Sequence, residues 1–522
     1  MLANRAGSTV EAGQRWLVMS ERVRPFTWQG RQYAHTSAVP LSYLGVSAPA
    51  WELLQNFATP ARLGDFVEAP TRADIAFMEE LVTAGILLDV ERPDPVHSFR
   101  PRSDAVKTLV LYPTSSCNLR CVYCYATSGP GSGPRLSPEH ALMAVDDFFA
   151  KITPQVEAVA LSFHGGGEPT TNFSVMEKSW RHFRALADRR GLRASVSTIT
   201  NGTFGPAVLR VLSQPEWSIV VSYDGPRQAD QRPTAAGEDS RSRVTANLRA
   251  LRDAGKRLTT RATLTRDGLP HLGALVEDAA DVGIATMQVE PASLVGRGAN
   301  LNDGPPEPLD FAEAFLDAFR LGLELGVQVT TAALSHARVG DGRHCGAISG
   351  LTALTPDGFV SACVEATDGK DPEDPFIIGT LDTITSRLEV WPLREEKLQS
   401  RIGYDMPHCS TCYMVDTCAG GCASRARARH GSAFVRDEAN CAISRRVNPE
   451  VMADLVDGRL MPDIGWQPRS AELQEGESSI AGATGRVVEL LPSYARRVWN
   501  ADPRRRPIFP VPLWPQFFHL PQ

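Results

Sequence analysis

The stretch Lys107–Tyr125, KTLVLYPTSSCNLRCVYCY, decides how the rest of the chain is read. Its first part, Thr108–Tyr112, is an apolar, β-favouring run that Pro113 brings to an end. The loop that follows carries three cysteines, Cys117-x3-Cys121-x2-Cys124. A strand therefore delivers three thiols at its C-terminal end. Downstream the same rhythm of strand, loop and helix returns. Candidate strands are Ala158–Phe163, Ala194–Thr200, Trp217–Ser222, Arg261–Thr265 and Thr286–Val289. Amphipathic helices sit between them, with Val244, Leu248 and Leu251 sharing one face. Strands alternating with helices demand a parallel sheet, open or closed. In β/α barrels the chemistry gathers in loops at the C-terminal ends of the strands, where the three cysteines stand.

Three thiolates on one short loop can hold three corners of a [4Fe–4S] cube and leave the fourth iron open. An open iron is a Lewis-acid site for a chelating substrate or cosubstrate. A structural zinc would want four ligands, and no fourth lies nearby. Other strand ends are distinctive too. His164-Gly165-Gly166-Gly167-Glu168-Pro169 ends the second strand, and its glycines let a ligand approach the backbone closely. Thr200-Asn201-Gly202-Thr203 follows the third strand, and Ser222-Tyr223-Asp224-Gly225-Pro226 the fourth, with Asp230 and Arg232 beyond it. Glu290-Pro291 and Gly296-Arg297 follow the sixth. Taken singly, each of these is also ordinary loop chemistry.

Seven further cysteines lie between residues 345 and 441. Cys345 and Cys363 frame Gly358, and Cys409-x2-Cys412-x5-Cys418-x3-Cys422 precedes a last cysteine, Cys441. A zinc ribbon accounts for a CxxC pair but not for seven cysteines so spaced. Glu365 is the only carboxylate within two positions after Cys363. His344 and His408 each precede a cysteine, but a solvated loop histidine is the plainer reading of both.

Together these motifs resemble the radical SAM superfamily. The resemblance implies an α/β fold: a partial (β/α)6 barrel, a small N-terminal winged-helix-like α+β domain and a C-terminal cysteine-rich SPASM domain. Cys117, Cys121 and Cys124 would bind the [4Fe–4S] cluster that chelates S-adenosylmethionine (SAM). In that family one electron cleaves SAM to a 5′-deoxyadenosyl radical, which abstracts a hydrogen atom. SAM contacts would be Tyr123, Gly166, Gly167, Glu168, Asn201, Ser222, Arg232 and, through its backbone, Val289. The SPASM likeness implies two auxiliary clusters of the [4Fe–4S] type. Cys409, Cys412, Cys418 and Cys441 would fill one, while Cys345, Cys363 and Cys422 leave the other one ligand short. Water, a protein carboxylate or a substrate group remain open for that position.

The domains expected are residues 1–95, 104–335, 340–450 and a C-terminal extension, 451–522, with a Pro-rich tail. Within residues 14–90, a strand pair around Gln29-Gly30-Arg31 precedes helices near Ala48–Phe57 and from Thr71, and Ile86–Val90 returns as a strand. The first module resembles PqqD-like leader-recognition domains, which bind an extended peptide along a sheet edge. Glu91–Arg102, with three prolines, reads as a linker. Of the 522 residues 43% are hydrophobic and 22% charged, ordinary for a globular protein. Lys plus Arg is 54 against 60 Asp plus Glu, so 54 − 60 gives a net charge of −6 and no case for nucleic acid or anionic membrane. No apolar run approaches the roughly 20 residues a bilayer needs, and no signal peptide is evident, so the chain is expected in the cytoplasm with its thiols reduced.

The function expected is radical modification of a ribosomally made peptide, forming a crosslink, by a SPASM oxidoreductase. Its partners would be a precursor peptide with its leader and an external one-electron donor of flavodoxin or ferredoxin type. An anaerobic sulfatase-maturating enzyme is the alternative. In that branch an Asp directly follows the last cysteine of the first auxiliary group, whereas here Val364 stands there and Glu365 comes next. A valine cannot accept a proton. Glu365 is thus the candidate catalytic base. A small-molecule dehydrogenase is disfavoured by the N-terminal module.

Overall fold

The computed structural model describes residues 14–36, 42–46, 48–67, 70, 72–83, 85–91, 106–131, 133–334, 342–456 and 486–489. Apart from Glu91, the expected linker lies outside these residues, as does the Pro-rich tail.

The N-terminal part opens with β1 (Leu17–Met19), β2 (Val23–Trp28), β3 (Arg31–Thr36) and β4 (Ser42–Val46). Gln29 and Gly30 join β2 to β3 with φ of 47° and 75°, the left-handed pair that a two-residue hairpin turn needs. The helices Ala48–Gln55 and Arg72–Thr83 follow, and β5 (Leu87–Asp89) returns to pair with β1. Leu17, Leu54, Phe57, Leu81 and Leu87 build a core of their own. A private core marks a separate module.

The main sheet begins with β6 (Val106–Leu111), β7 (Ala158–Phe163), β8 (Arg193–Thr200), β9 (Trp217–Ser222), β10 (Leu258–Leu264) and β11 (Ile284–Pro291). These six are neighbours in chain order and all parallel. β12 (Gln328–Thr330) extends the β11 edge. The order is that of a partial barrel. On its other edge β6 takes a parallel partner, β13 (Thr352–Leu354). The antiparallel strands β14 (Phe359–Ser361), β15 (Ile377–Asp382) and β16 (Arg387–Val390) follow. The cysteine-rich region therefore continues the barrel's own sheet.

Residue patterns explain which face looks where. In β10, Leu258, Thr260, Ala262 and Leu264 are buried, while Thr259, Arg261 and Thr263 between them are only partly so. The buried set packs outward under helices, and the alternate set borders the lumen. The helix Arg241–Asp253 buries Val244, Leu248 and Leu251, the face expected. Several contacts dock the N-terminal module on the cysteine-rich region, among them an aromatic stack and an indole hydrogen bond. Phe26 stacks on Tyr413 with ring centroids 4.6 Å apart, and the Trp28 indole donates to Glu450 at 3.2 Å.

Candidate active site

The three-cysteine loop leaves β6 and is held from several sides. The Cys117 amide donates to the Gly129 carbonyl at 3.1 Å, and the Val122 amide to that of Gln231 at 2.9 Å. Arg297 grips the loop from beyond β11. Its backbone amide donates to the Cys124 carbonyl at 2.9 Å, and its guanidinium to the carbonyls of Cys121 and Ser128 at 2.8 Å each. The glycine loop after β7 crosses close behind. The Gly167 amide donates to the Thr114 carbonyl at 3.1 Å, and a Cβ on Gly167 would stand 2.3 Å from the Ser116 oxygen. Only glycine permits that approach.

Glu168 is buried, and its carboxylate is fully engaged. One oxygen accepts from the Thr170 amide at 3.1 Å and from the Thr170 and Thr200 hydroxyls at 2.6 Å each; the other accepts from the Asn201 amide at 2.7 Å. It thereby fixes Asn201, whose side-chain amide donates to the Cys117 sulfur at 3.7 Å. At the β9 end, Asp224 joins the Tyr123 hydroxyl to Arg232, 3.0 Å from the guanidinium. Burial works against the Arg232 charge, but Asp224, Tyr123 and Cys121 together more than offset it and keep the group cationic. Arg232 in turn reaches the Cys121 sulfur at 3.9 Å.

The structure brings the cysteines into three neighbourhoods. Cys117, Cys121 and Cys124 share one loop. Cys363 feels Cys422 and Cys345, and Cys418 feels Cys412, Cys441 and Cys409. The chain from Cys418 to Cys422 passes through Ala419, Gly420 and Gly421, all left-handed with φ of 48°, 78° and 74°. That tight turn assigns its two end cysteines to different groups. Arg401, buried beneath, donates to the carbonyls of Ala433 and Gly420 at 2.6 and 3.2 Å. The Tyr112 hydroxyl, at the mouth of β6, donates to the Cys363 carbonyl at 3.2 Å.

One cavity of about 250 Å³ joins the two sides. Cys117, Cys121 and Cys124 line it from the barrel, and Cys345, Cys363 and Cys422 from the extension. Tyr123, Gly166, Gly167, Glu168, Asn201, Ser222 and Arg232 also line it, as do Val364 and Glu365. Val289 is fully buried, and its neighbours Gln288 and Glu290 face the cavity in its place. Cys409, Cys412, Cys418 and Cys441 stand apart from the lining. His344 borders the cavity and bonds through Nδ1 to the Cys418 carbonyl at 3.0 Å, whereas His408 is exposed.

Residues 111–272 match the model of the Radical SAM superfamily. This part of the barrel resembles a radical SAM domain. Radical SAM cyclopropyl synthase TigE from Paramaledivibacter caminithermalis is 23% identical over 365 residues, 65% of this chain and 72% of that protein. Mycofactocin maturase MftC from Mycolicibacterium smegmatis is 27% identical over 342 residues, 63% of this chain and 81% of its own. Among solved structures, native anSMEcpe with bound AdoMet shares the fold. The TM-score is 0.54 at 18% identity, over 68% of this chain and 98% of that one.

The superfamily implies SAM and an iron–sulfur cluster, and the donor set suits them. Burial, then Glu168, pushes the Cys117 thiol up to about 12, and burial does the same to Cys418 and Cys422. Thiols so placed stay protonated at neutral pH unless a metal displaces the proton. The N–H groups of Leu119, Asn201 and Arg232 already point at sulfurs of the three-cysteine loop. Among the described residues, no three His, Cys, Asp or Glu side chains converge as round a single ion. Thiolates on different irons of one cluster need not converge, whereas the ligands of a zinc must. Sequence reasoning named Glu290 and Arg297 in their motifs but missed Arg401 and Arg425, the latter 3.3 Å from Glu290. Their roles rest on partners distant in sequence, and no local spacing signals them.

Proposed function

We propose that the protein is a radical SAM/SPASM oxidoreductase that modifies a ribosomally made peptide, forming a crosslink within it. The observation that carries this reading is the single cavity lined by both Cys117/Cys121/Cys124 and Cys345/Cys363/Cys422. A substrate there would touch both groups at once. The maturase and synthase relatives support the same reading.

In this reading Cys117, Cys121 and Cys124 hold the SAM-binding [4Fe–4S] cluster. Cys345, Cys363 and Cys422 hold one auxiliary cluster, and Cys409, Cys412, Cys418 and Cys441 the other. When bound, these groups supply one-electron chemistry that removes a hydrogen atom from a substrate carbon. The remaining work belongs to side chains. Arg232, oriented by Asp224, takes the SAM carboxylate, and Ser222 and Asn201 line the rest of its berth. Ala347, Leu351, Ala362 and Val364 line the far wall with apolar surface and limit water there. Glu365 Oε2, buried and without a hydrogen-bond partner, receives the proton released when the new bond forms. The N-terminal module, winged-helix-like and PqqD-like, holds the leader, and a small flavodoxin or ferredoxin in the cytoplasm delivers electrons. No helix among the described residues is long and apolar enough to cross a membrane.

Anaerobic reconstitution tests the reading. About twelve iron atoms per chain are expected from three four-iron clusters. Replacing Cys117, Cys121 and Cys124 together by Ala should remove about four and abolish 5′-deoxyadenosine formation. Stoichiometric zinc with no iron–sulfur absorbance would sink it.

A further inference from the structure

Arg261 stands on the lumen side of β10, in register with Ser222 of β9 and Gln288 of β11. All three line the cavity. A guanidinium offers five N–H donors, yet among the described residues that of Arg261 makes no hydrogen bond and no ion pair. The other cavity arginines are committed, Arg232 to Asp224 and Arg425 to Glu290. Nor is Arg261 a counter-charge for the thiols. Arg232 and Arg297 act on Cys121 and Arg425 on Cys422, while Arg261 acts on Tyr125 and His164. Glu365 borders the same cavity but does not pair with it.

His164 supplies a second unused donor. The residue is 9% exposed, and Nδ1 accepts the Gly165 amide at 2.7 Å. Burial, then Arg261, holds its pKa down to about 3, so the ring is neutral and its one proton sits on Nε2. Nε2 has no partner. A charged fork and a neutral N–H, both unspent, border one lumen.

We infer that Arg261 and His164 form a subsite for a carboxylate of the substrate. This inference rests on the peptide-modifying reading. A half-buried, unpaired guanidinium is costly in the free enzyme, and a carboxylate satisfies it through two parallel N–H···O bonds. A neutral or cationic group would leave it unpaired. The carboxylate comes either from a peptide C-terminus or from an Asp or Glu side chain.

The test uses the full-length, anaerobically reconstituted enzyme saturated with SAM, and three probes read by ligand-observed NMR titration. They are N-acetyl-Gly-Phe-Gly as the free acid, the same tripeptide as its amide, and N-acetyl-Gly-Phe-Asp amide. At least one acid should bind about tenfold or more tighter than the neutral amide, and the acid that does so identifies the source. Arg261→Gln should erase that preference, and Arg261→Lys, which keeps the charge without the fork, should retain part of it. Equal or absent binding of all three probes overturns the inference. So does an acid preference that survives Arg261→Gln. A matching fall in SAM affinity in Arg261→Gln would also overturn it, by assigning the guanidinium to the cosubstrate. Failure of the underlying reading shows separately, as a wild-type chain that takes up neither iron nor SAM.

Discussion

Glu365 presents the cavity with a carboxylate oxygen that the fold itself leaves unused, since its Oε2 is buried without a hydrogen-bond partner. Glu168 is the opposite case: every donor around it is engaged, and it serves by holding Asn201. The sequence marks both residues by their place in a motif, and only their partners separate the roles. Glu365→Gln keeps the shape and removes the basicity. Product formation should fall about 10²-fold or more, while 5′-deoxyadenosine still forms and the iron count holds, because hydrogen abstraction precedes proton loss. Assay of both products with iron analysis checks this. A loss of iron would instead make Glu365 the fourth ligand of the Cys345 group. Unchanged turnover would remove it from the chemistry.

At the scale of strands and loops, the site depends on two loops crossing where no side chain fits. A Cβ on Gly167 meets backbone oxygens of Ser116 and Thr114 at 2.3 and 2.6 Å, and neither can swing aside as a side chain would. Gly167→Ala should part the loops, lowering iron content by about four atoms and SAM binding with it. Gly205→Ala, at φ −88° with nothing within 4 Å, is the control and should keep both. The reach of sequence reading is visible at this scale. Ala158–Phe163 and Trp217–Ser222 are found end to end, because continuous apolar runs declare themselves. β10 begins three residues before the expected Arg261, because Thr259 and Thr260 look like loop although Thr260 is fully buried. That β13 joins β6 could not be read at all, since three residues carry no register and the pairing is non-local. The cysteines were legible because cluster chemistry dictates their spacing. The roles of Arg261 and His164 were not, because what marks them is the lack of a partner.

Across the whole molecule, the N-terminal module is both a candidate peptide holder and a packing element. Phe26 stacks between Tyr33 and Tyr413, whose neighbour is Cys412, and Arg24 lies 3.7 Å from Asp416. Deleting the module would strip that contact and disturb the cysteine-rich region, so deletion is a poor test of leader binding. The sheet edge offers a cleaner one. Its strand order is β17-β4-β3-β2, where β17 is Arg486–Glu489 from the C-terminal extension, paired antiparallel with β4 from Arg486↔Gly45 to Glu489↔Ser42. A leader that adds a strand at β4 must displace this segment, which competes at the high effective concentration of a tethered strand. A chain ending at Val456 keeps the Trp28–Glu450 bond and the Phe26–Tyr413 stack but frees the β4 edge. It should therefore bind a labelled leader peptide more tightly than the full chain, by about tenfold or more, with iron content unchanged. Fluorescence anisotropy reads the difference. Equal affinities would mean that the leader does not use the β4 edge, and would move the search to β2 at the opposite edge of the same sheet.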